Sequence, residues 1–309
     1  MTAPALVVAA GRRIARRPRL ATWLMRLPAL VPAAKLRSRL YQSLSWPLAL
    51  GHAAETEVTV AGGSRMLVRT DDLVGRVLAI SGVWEPNVTV AFERALARGD
   101  VCLDVGAHIG YYTLLAAKLV GPQGHVYAFE PSPDSFRALH ENIELNGLAN
   151  VTAVALAVGE QNGRAVLYEG PGTNSGLATL STALAAKSTT PLREVTVDVG
   201  PITSVVPPEE LVRVRVIKID VEWQEVEVLR SLTPVFDLGG RLSVFVEWTH
   251  RRSAPQLDDY LRQLCAAQGF ALYGLPSGYS LERLFPDRLD HPAALDAVPV
   301  EQSDLLLVR

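Results

Sequence analysis

Cysteine is nearly missing from this chain: only Cys102 and Cys265 occur among 309 residues. Cys102 lies inside an apolar run that reads as a buried strand. Neither a disulfide framework nor a zinc site is therefore supported, and a reducing cytoplasm fits. No run of 18 or more apolar residues is present, so no segment is expected to span a bilayer. The pairs Arg12-Arg13 and Arg16-Arg17 lead into no unbroken apolar stretch, because Arg26, Pro28 and Pro32 interrupt it, and no secretory leader is expected. Acidic residues are absent from Met1 to His52, where nine Arg or Lys stand; taking those nine from the net charge of -2 leaves -11 on the remainder. An acidic body without a basic stripe argues against nucleic acid as the main partner.

What is present is a chain that can fold. Hydrophobic residues make up 49% and charged residues 20%, enough apolar material for a packed interior. Residues 1–52 read as a basic arm of short helices broken at Pro18, Pro28, Pro32 and Pro47. Such an arm packs on its own domain or on the mate in a homodimer; a membrane surface is the other reading. Residues 53–309 read as one α/β domain. Glu57 to Val60 and Met66 to Arg69 flank a glycine turn and predict a hairpin that covers an edge of the domain.

From Val101 onward, Val- and Ile-rich runs alternate with helix-period segments, as in βαβ units and a mostly parallel sheet with helices on both faces. The predicted strands are Val101–Val105, His125–Glu130, Val151–Ala157, Val214–Asp220, Leu242–Trp248, Phe270–Gly274 and Asp304–Val308. The predicted helices are Tyr111–Val120, Pro133–Asn146, Val221–Leu232 and Pro255–Gln268. Residues 163–200 interrupt the alternation and read as an inserted hairpin.

The segment from Leu103 to Gly110 ends a strand and opens a helix, the place where α/β sheets bind ligands. A dinucleotide fingerprint needs GxGxxG, but after Gly106 the next two glycine places hold His108 and Tyr111. A histidine at the middle place obstructs a pyrophosphate, so a nicotinamide-dependent oxidoreductase is the disfavoured alternative. A nucleoside with an amino-acid tail asks less. Gly106 permits the tight turn, Gly110 permits close packing, and free amides of the helix N-terminus can take a carboxylate, with Ala107 and His108 in the cofactor loop between the glycines. Asp104 can take an ammonium group. Glu130, about 20 residues on, is placed to hold both ribose hydroxyls, with Pro131, Ser132 and Ala157 beside it.

Three ordered segments, DVGAHIGYYTLLAAKL, VYAFEPSPDSFRALHENIELNGL and VIKIDVEWQEVEVL, resemble the FkbM-type class I methyltransferases. The resemblance runs from about Gly82 to Trp248. It implies a seven-stranded Rossmann-like fold, S-adenosylmethionine as cofactor with S-adenosylhomocysteine as product, and O-methylation of a hydroxyl on a natural product, sugar or polyketide. It also implies that Glu85, in Val83-Trp84-Glu85-Pro86, contacts the methionine amine. The family reads KIDVEG where this chain has Lys218-Ile219-Asp220-Val221-Glu222-Trp223, so Trp223 replaces a glycine beside the acceptor pocket. That departure keeps open a non-catalytic scaffold that binds the cofactor for a partner enzyme.

Methyl transfer to a hydroxyl profits from a base. Asp220, at the fourth strand's end, Glu222, read as starting the next helix, and His250, after the fifth strand, are the catalytic candidates. Glu247 could join Asp220 and Glu222 at adjacent strand ends, where a divalent metal or a lysine would satisfy the cluster; a metal is not favoured. Tyr112 and Thr113 face the cofactor's methionine end. Tyr111, Asn174, Trp223 and Glu247 are the substrate-side candidates, Asn174 as part of a loop that gates the acceptor.

Overall fold

The computed structural model describes residues 23–31, 33–50, 55–170, 178–186, 188, 191–248, 255–295 and 303–309. Asn174 and His250 lie outside the described residues. Strands β1 (Glu55–Thr59) and β2 (Arg65–Arg69) form the expected hairpin, with Gly62 at φ 74 in its turn. The hairpin sits on a helix and not on a sheet edge. Buried Asn142 accepts from the Leu67 amide (2.7 Å) and donates to the Leu67 and Ile109 carbonyls. Helices α1 (Leu73–Ser81) and α2 (Pro86–Ala95) follow and lead into the main sheet.

That sheet is built in order of sequence from β3 (Val101–Val105), β4 (His125–Phe129), β5 (Val151–Val154), then β10 (Val214–Ile219), β11 (Ser243–Trp248), β12 (Ala271–Leu275), the two-residue β13 (Ala293–Ala294) and β14 (Ser303–Val308). Helices α3 (Tyr111–Val120), α4 (Pro133–Leu145), α5 (Glu225–Ser231) and α6 (Pro255–Gln268) lie between strands. The spatial order is β13-β12-β14-β11-β10-β3-β4-β5. From β5 through β11 every pairing is parallel, whereas β14 runs antiparallel to both β11 and β12. Seven strands were expected; β13 adds an eighth at one edge.

Two apolar layers cover the two faces, and the period-2 alternation of each strand decides which residue enters which layer. Cys102, Val126, Ala128, Val216, Phe245 and Leu306 point to the layer shared with α1 to α4. Leu103, Val105, Phe129, Ile217, Val246 and Leu305 point to the layer shared with α5 and α6. Phe92 of α2, fully buried between Tyr112 (5.0 Å) and Phe245 (5.5 Å), anchors the first layer. Truncation of such a ring to alanine costs about 3–5 kcal/mol. The same alternation puts Asp104, Lys218, Glu247 and Asp304 on the first face, where the strands end.

Two predicted elements are shorter than expected. The run Val151–Ala157 ends as a main-sheet strand at Val154, and β6 (Ala157–Val158) joins a second sheet instead. That sheet contains β7 (Gly163–Glu169), β8 (Ala178–Thr179) and β9 (Arg193–Gly200), with β7 and β9 antiparallel along their length. The helix expected over Val221–Leu232 begins at Glu225, because Glu222 (φ 39) and Trp223 (φ 73) are left-handed and cannot continue a right-handed turn.

Residues 34–50 of the arm are helical, with a widened turn at Tyr41–Ser45. The arm packs on the domain through Tyr41 and Trp46, which meet Phe285 at 5.3 and 6.2 Å, and through Ser38, whose hydroxyl donates to the Phe285 carbonyl. Among the described residues no helix is long and apolar enough to cross a membrane.

Candidate active site

Strand order reverses between β3 and β10, since β4 and β5 lie to one side and β11, β14 and β12 to the other. The crevice at such a switch point, outside the carboxyl ends of the strands, is where open α/β sheets bind ligands. Here it holds a cavity of about 300 Å³, within the range of small-molecule sites.

The glycine loop is shaped by close approach. Gly106 stands at φ 82, and a Cβ there would lie 1.8 Å from the Asp220 carbonyl oxygen, so only glycine lets β3 and β10 end side by side. Gly110, at φ 96, lets α3 approach Leu139 of α4, which a Cβ would meet at 2.7 Å. Four amides ahead of α3 are taken up within the protein. Gly106 and Ala107 donate to the Phe129 carbonyl (2.9 and 3.0 Å), Gly110 donates to the Ala107 carbonyl, and His108 donates to Glu130 Oε2 (2.8 Å). The loop folds back over the end of β4, where three of these four amides are consumed. Burial lowers the His108 pKa, which keeps the ring neutral against the cavity.

Glu130 ends β4 as a buried carboxylate held by two amides, His108 N–H and Ser132 N–H, each at 2.8 Å. Burial still dominates and raises its pKa to about 7. Ser132 passes the restraint outward, because its hydroxyl donates to Glu169 Oε1 (2.5 Å) on β7. Arg193 of β9 donates to Glu169 Oε2 (2.7 Å) and to Asp134 Oδ2 (2.7 Å) at the start of α4. The inserted sheet is thereby tied to the carboxylate loop. It also walls the cavity, through Leu167, Ala178 and Leu180, beside Leu156, Ala157 and Val158.

The opposite end of the cavity is acidic. Lys218 is fully buried, and its ammonium lies 3.1 Å from Asp220 Oδ2, 3.9 Å from Asp304 Oδ1 and 5.3 Å from the Tyr112 ring centre. Burial opposes the Lys218 charge, but Asp220, Glu85, Asp304 and Glu247 together hold its pKa well above the usual lysine range. Asp220 is desolvated as well, yet Lys218 keeps it below the usual carboxylate range and ionised. Glu247 is pushed the other way by burial and by the Asp220 charge; it stays protonated and bonds to Asp220. Tyr279 donates to Glu247 Oε1 (2.7 Å), which completes a chain from Tyr279 through Glu247 and Asp220 to Lys218. Glu85, at φ 41 just before α2, is buried and accepts from Tyr112 (3.0 Å); burial raises it to about 8. Asp104 accepts from the Thr113 hydroxyl (2.5 Å), and burial raises it to about 6.

Of the residues expected to bind cofactor, Asp104, Gly106, Ala107, His108 and Tyr112 line the cavity from the loop and α3. Glu130, Pro131, Ala157 and Asp220 line it from the neighbouring strand ends. Glu85, Gly110, Thr113 and Ser132 stand behind that lining, bonded to or packed on its members. Tyr111 reaches the cavity but its hydroxyl is buried against Thr89 Oγ1 at 3.1 Å. Asp220, Glu222 and Glu247 do come together: Asp220 and Glu222 line the cavity, and Glu247 stands behind the lining, bonded to Asp220. Among the described residues no group of three or more His, Cys, Asp or Glu is arranged to hold a metal ion.

Glu222 does not start a helix. It occupies a left-handed turn with Trp223, closed by Trp223 N–H to Glu225 Oε1 (2.9 Å) and by the Thr179 hydroxyl on the Glu222 carbonyl (2.6 Å). A left-handed backbone is what a glycine would tolerate at position 223. The indole is not part of the cavity lining, which there is Val221, Glu222 and Gln224, so it leaves the cavity open. All four non-glycine residues with positive φ among the described residues, Glu85, His108, Glu222 and Trp223, lie at this site.

Sequence reasoning missed Lys218, Asp304, Tyr279 and Glu169 as site residues. A signal existed for two of them. Lys218 is a charge inside an apolar strand, and Asp304 opens a buried one; such charges are almost never buried unless paired.

This topology and switch-point cavity define a Rossmann-like class I methyltransferase fold. The chain belongs to the FkbM methyltransferase domain family, whose model matches residues 104–272. It is similar to Methyltransferase 1 of Beauveria bassiana, 32% identical over 145 residues that cover 42% of this chain and 57% of that protein. It is similar to a hexuronic acid methyltransferase of Haloferax volcanii, 26% identical over 170 residues covering 55% and 64%. A shorter stretch of 59 residues is 42% identical to a protein-L-isoaspartate O-methyltransferase of Ignicoccus hospitalis, covering 19% and 28%. The chain thus spans less than two thirds of the length of each of these curated relatives.

Proposed function

We propose that this chain transfers a methyl group from S-adenosylmethionine to a hydroxyl of a small, sugar-type acceptor. The observation that carries the reading is one cavity with two unlike ends: Glu130 with apolar walls at one, and at the other Asp104, Asp220 and Lys218, with Glu85, Glu247 and Asp304 buried behind them. The donor set fits the cofactor. A flat base suits Leu156, Val158 and Leu180, ribose hydroxyls suit Glu130, and the ammonium and sulfonium charges suit Asp104 and Asp220 in the lining, with Glu85 acting from behind Tyr112.

When bound, S-adenosylmethionine supplies a methyl group activated by a positively charged sulfur. Most of the rate in an in-line displacement comes from alignment, which the rigid strand ends supply. Glu222 is the best-matched base, because burial raises its pKa to about 8 and it lines the cavity. It accepts the hydroxyl proton as the oxygen–carbon bond forms and the carbon–sulfur bond breaks. Asp220 is too firmly ionised to be a good base, and its part is to hold a fixed negative charge.

The relative that acts on hexuronic acid supports a sugar-type acceptor. Calorimetry with S-adenosylmethionine and S-adenosylhomocysteine, followed by S-adenosylhomocysteine release against a panel of sugars, tests the reading. Binding of both ligands with release on a sugar is the expected result; failure to bind either would end it.

A further inference from the structure

The outer face of the N-terminal arm joins large exposed apolar side chains to positive charge. Leu30 is 79% exposed, Trp23 59%, Leu36 51% and Leu44 37%. Lys35 and Arg39, on the same helix as Leu36, are exposed as well. On the helical stretch 34–50, Lys35, Arg39 and Ser43 are spaced by four residues and Leu36 and Leu44 by eight, and all five are exposed on its solvent side. The opposite face carries Ser38, Tyr41, Ser45 and Leu48, all buried. The arm is therefore docked on one side and bare on the other.

We infer that this outer face binds the surface of an anionic lipid bilayer. Leu and Trp side chains interleaved with Lys and Arg are the chemistry of helices that lie in the headgroup region, where apolar groups enter the acyl boundary and cations meet anionic lipid. The charge is segregated to suit: nine basic and no acidic residues up to His52, against -11 on the rest. Among the described residues of the arm, Lys35 and Arg39 present that charge to solvent, whereas Arg26 is turned inward. A second copy is a poorer occupant, because a two-fold interface would set two such basic faces against each other. A nucleic acid is poorer too, since phosphates do not cover exposed leucines.

The attachment is stiff. Arg26 donates to the Ala79 and Leu78 carbonyls at the end of α1 (3.0 and 3.2 Å), and Arg76 of α1 stacks on Trp46 at 5.3 Å. Leu73 and Val74, the first residues of α1, line the cavity. A lipid-bound arm accordingly holds the cavity at a set distance from the bilayer.

Flotation of the full chain with phosphatidylcholine vesicles, with and without phosphatidylglycerol, tests this. The chain is expected to float only with the anionic vesicles and to be released by salt. Removing both Lys35 and Arg39 as alanines should weaken partition about fivefold for each charge lost. L30S/L36S should weaken it as well. None of these residues lines the cavity, so an unchanged thermal midpoint and unchanged S-adenosylhomocysteine binding show that the variants are folded. Equal flotation with neutral vesicles, or none with either, overturns the inference. So does K35A/R39A that partitions like the wild type, a dimer that L36S dissociates without any lipid binding, or retention by RNA in place of vesicles.

Discussion

The two ends of the cavity are built differently. The end around Glu130 comes from one continuous stretch, β3 to α4, in which the carboxylate is held by the amides of His108 and Ser132 and Ser132 is tied to the inserted sheet. The end around Lys218 comes from Glu85, Asp220, Glu247, Tyr279 and Asp304, which lie on separate elements. There, only the Lys218–Asp220 pair is local, and the other partners come from distant segments. Its charges are balanced only as a set, and the protonation of each depends on the others. The proposed function gives the first end the cofactor's neutral groups and the second, whose protonation is shared, its positive charge.

That contrast can be broken most forcefully at Lys218. Lys218→Met strands several buried carboxylates and should cost about 3–5 kcal/mol in urea unfolding. A loss under about 1 kcal/mol would mean that the acidic end is not organised around this cation. Glu130→Ala comes next. It removes two charge-assisted bonds to the ligand but little of the acidic end, so calorimetry should find S-adenosylmethionine affinity down on the order of a hundredfold. Unchanged affinity would remove Glu130 from the binding site.

The acidic end should reveal itself by pH. Glu85 ionises near 4.5 when unfolded and at about 8 when folded. Between those values the folded, ligand-free chain binds the extra proton, so its stability falls as pH rises through that window. A bound cation favours the ionised carboxylate, and cofactor affinity should rise over the same window, by at most about tenfold per pH unit for one proton. Glu85→Gln should flatten that slope, and a slope that survives would assign the proton elsewhere. Glu169→Gln tests the inserted sheet. Weakening its pairing with Arg193 should raise the Kd for cofactor about fivefold, by roughly 1 kcal/mol, with kcat unchanged; a fall in kcat alone would separate the tie from binding. The smallest effect is expected at Trp223. A glycine there relieves about 1 kcal/mol of left-handed strain but loses indole contacts, so the thermal midpoint should barely move.

Sequence patterns reveal local features because their causes are local. The run from Val101 to Pro131 shows a strand, a glycine turn, a helix and an acidic strand end, each dictated by period and by backbone space within a few residues. Gly106 and Gly110 are needed for the reasons their positions suggested. The end of β5 was misjudged, since an apolar run does not say that Ala157 will leave one sheet for another. The helix after β10 was misjudged because the left-handed turn at Glu222 and Trp223 is held by Thr179, 43 residues before Glu222. A tryptophan in a family glycine's place signalled such a turn only in hindsight of its φ.

The amino-acid order alone determined the alternation of strands and helices, the switch-point loop and the carboxylate at Glu130, because hydrophobic period and steric limits act between neighbours. Only the tertiary structure decided the company of Lys218. The antiparallel entry of β14 sets Asp304 beside Glu247 at the carboxyl edge of the sheet, and Tyr279 closes over Glu247. Charge and desolvation act through space, so what a carboxylate does is settled by whichever groups the fold brings within a few ångströms of it.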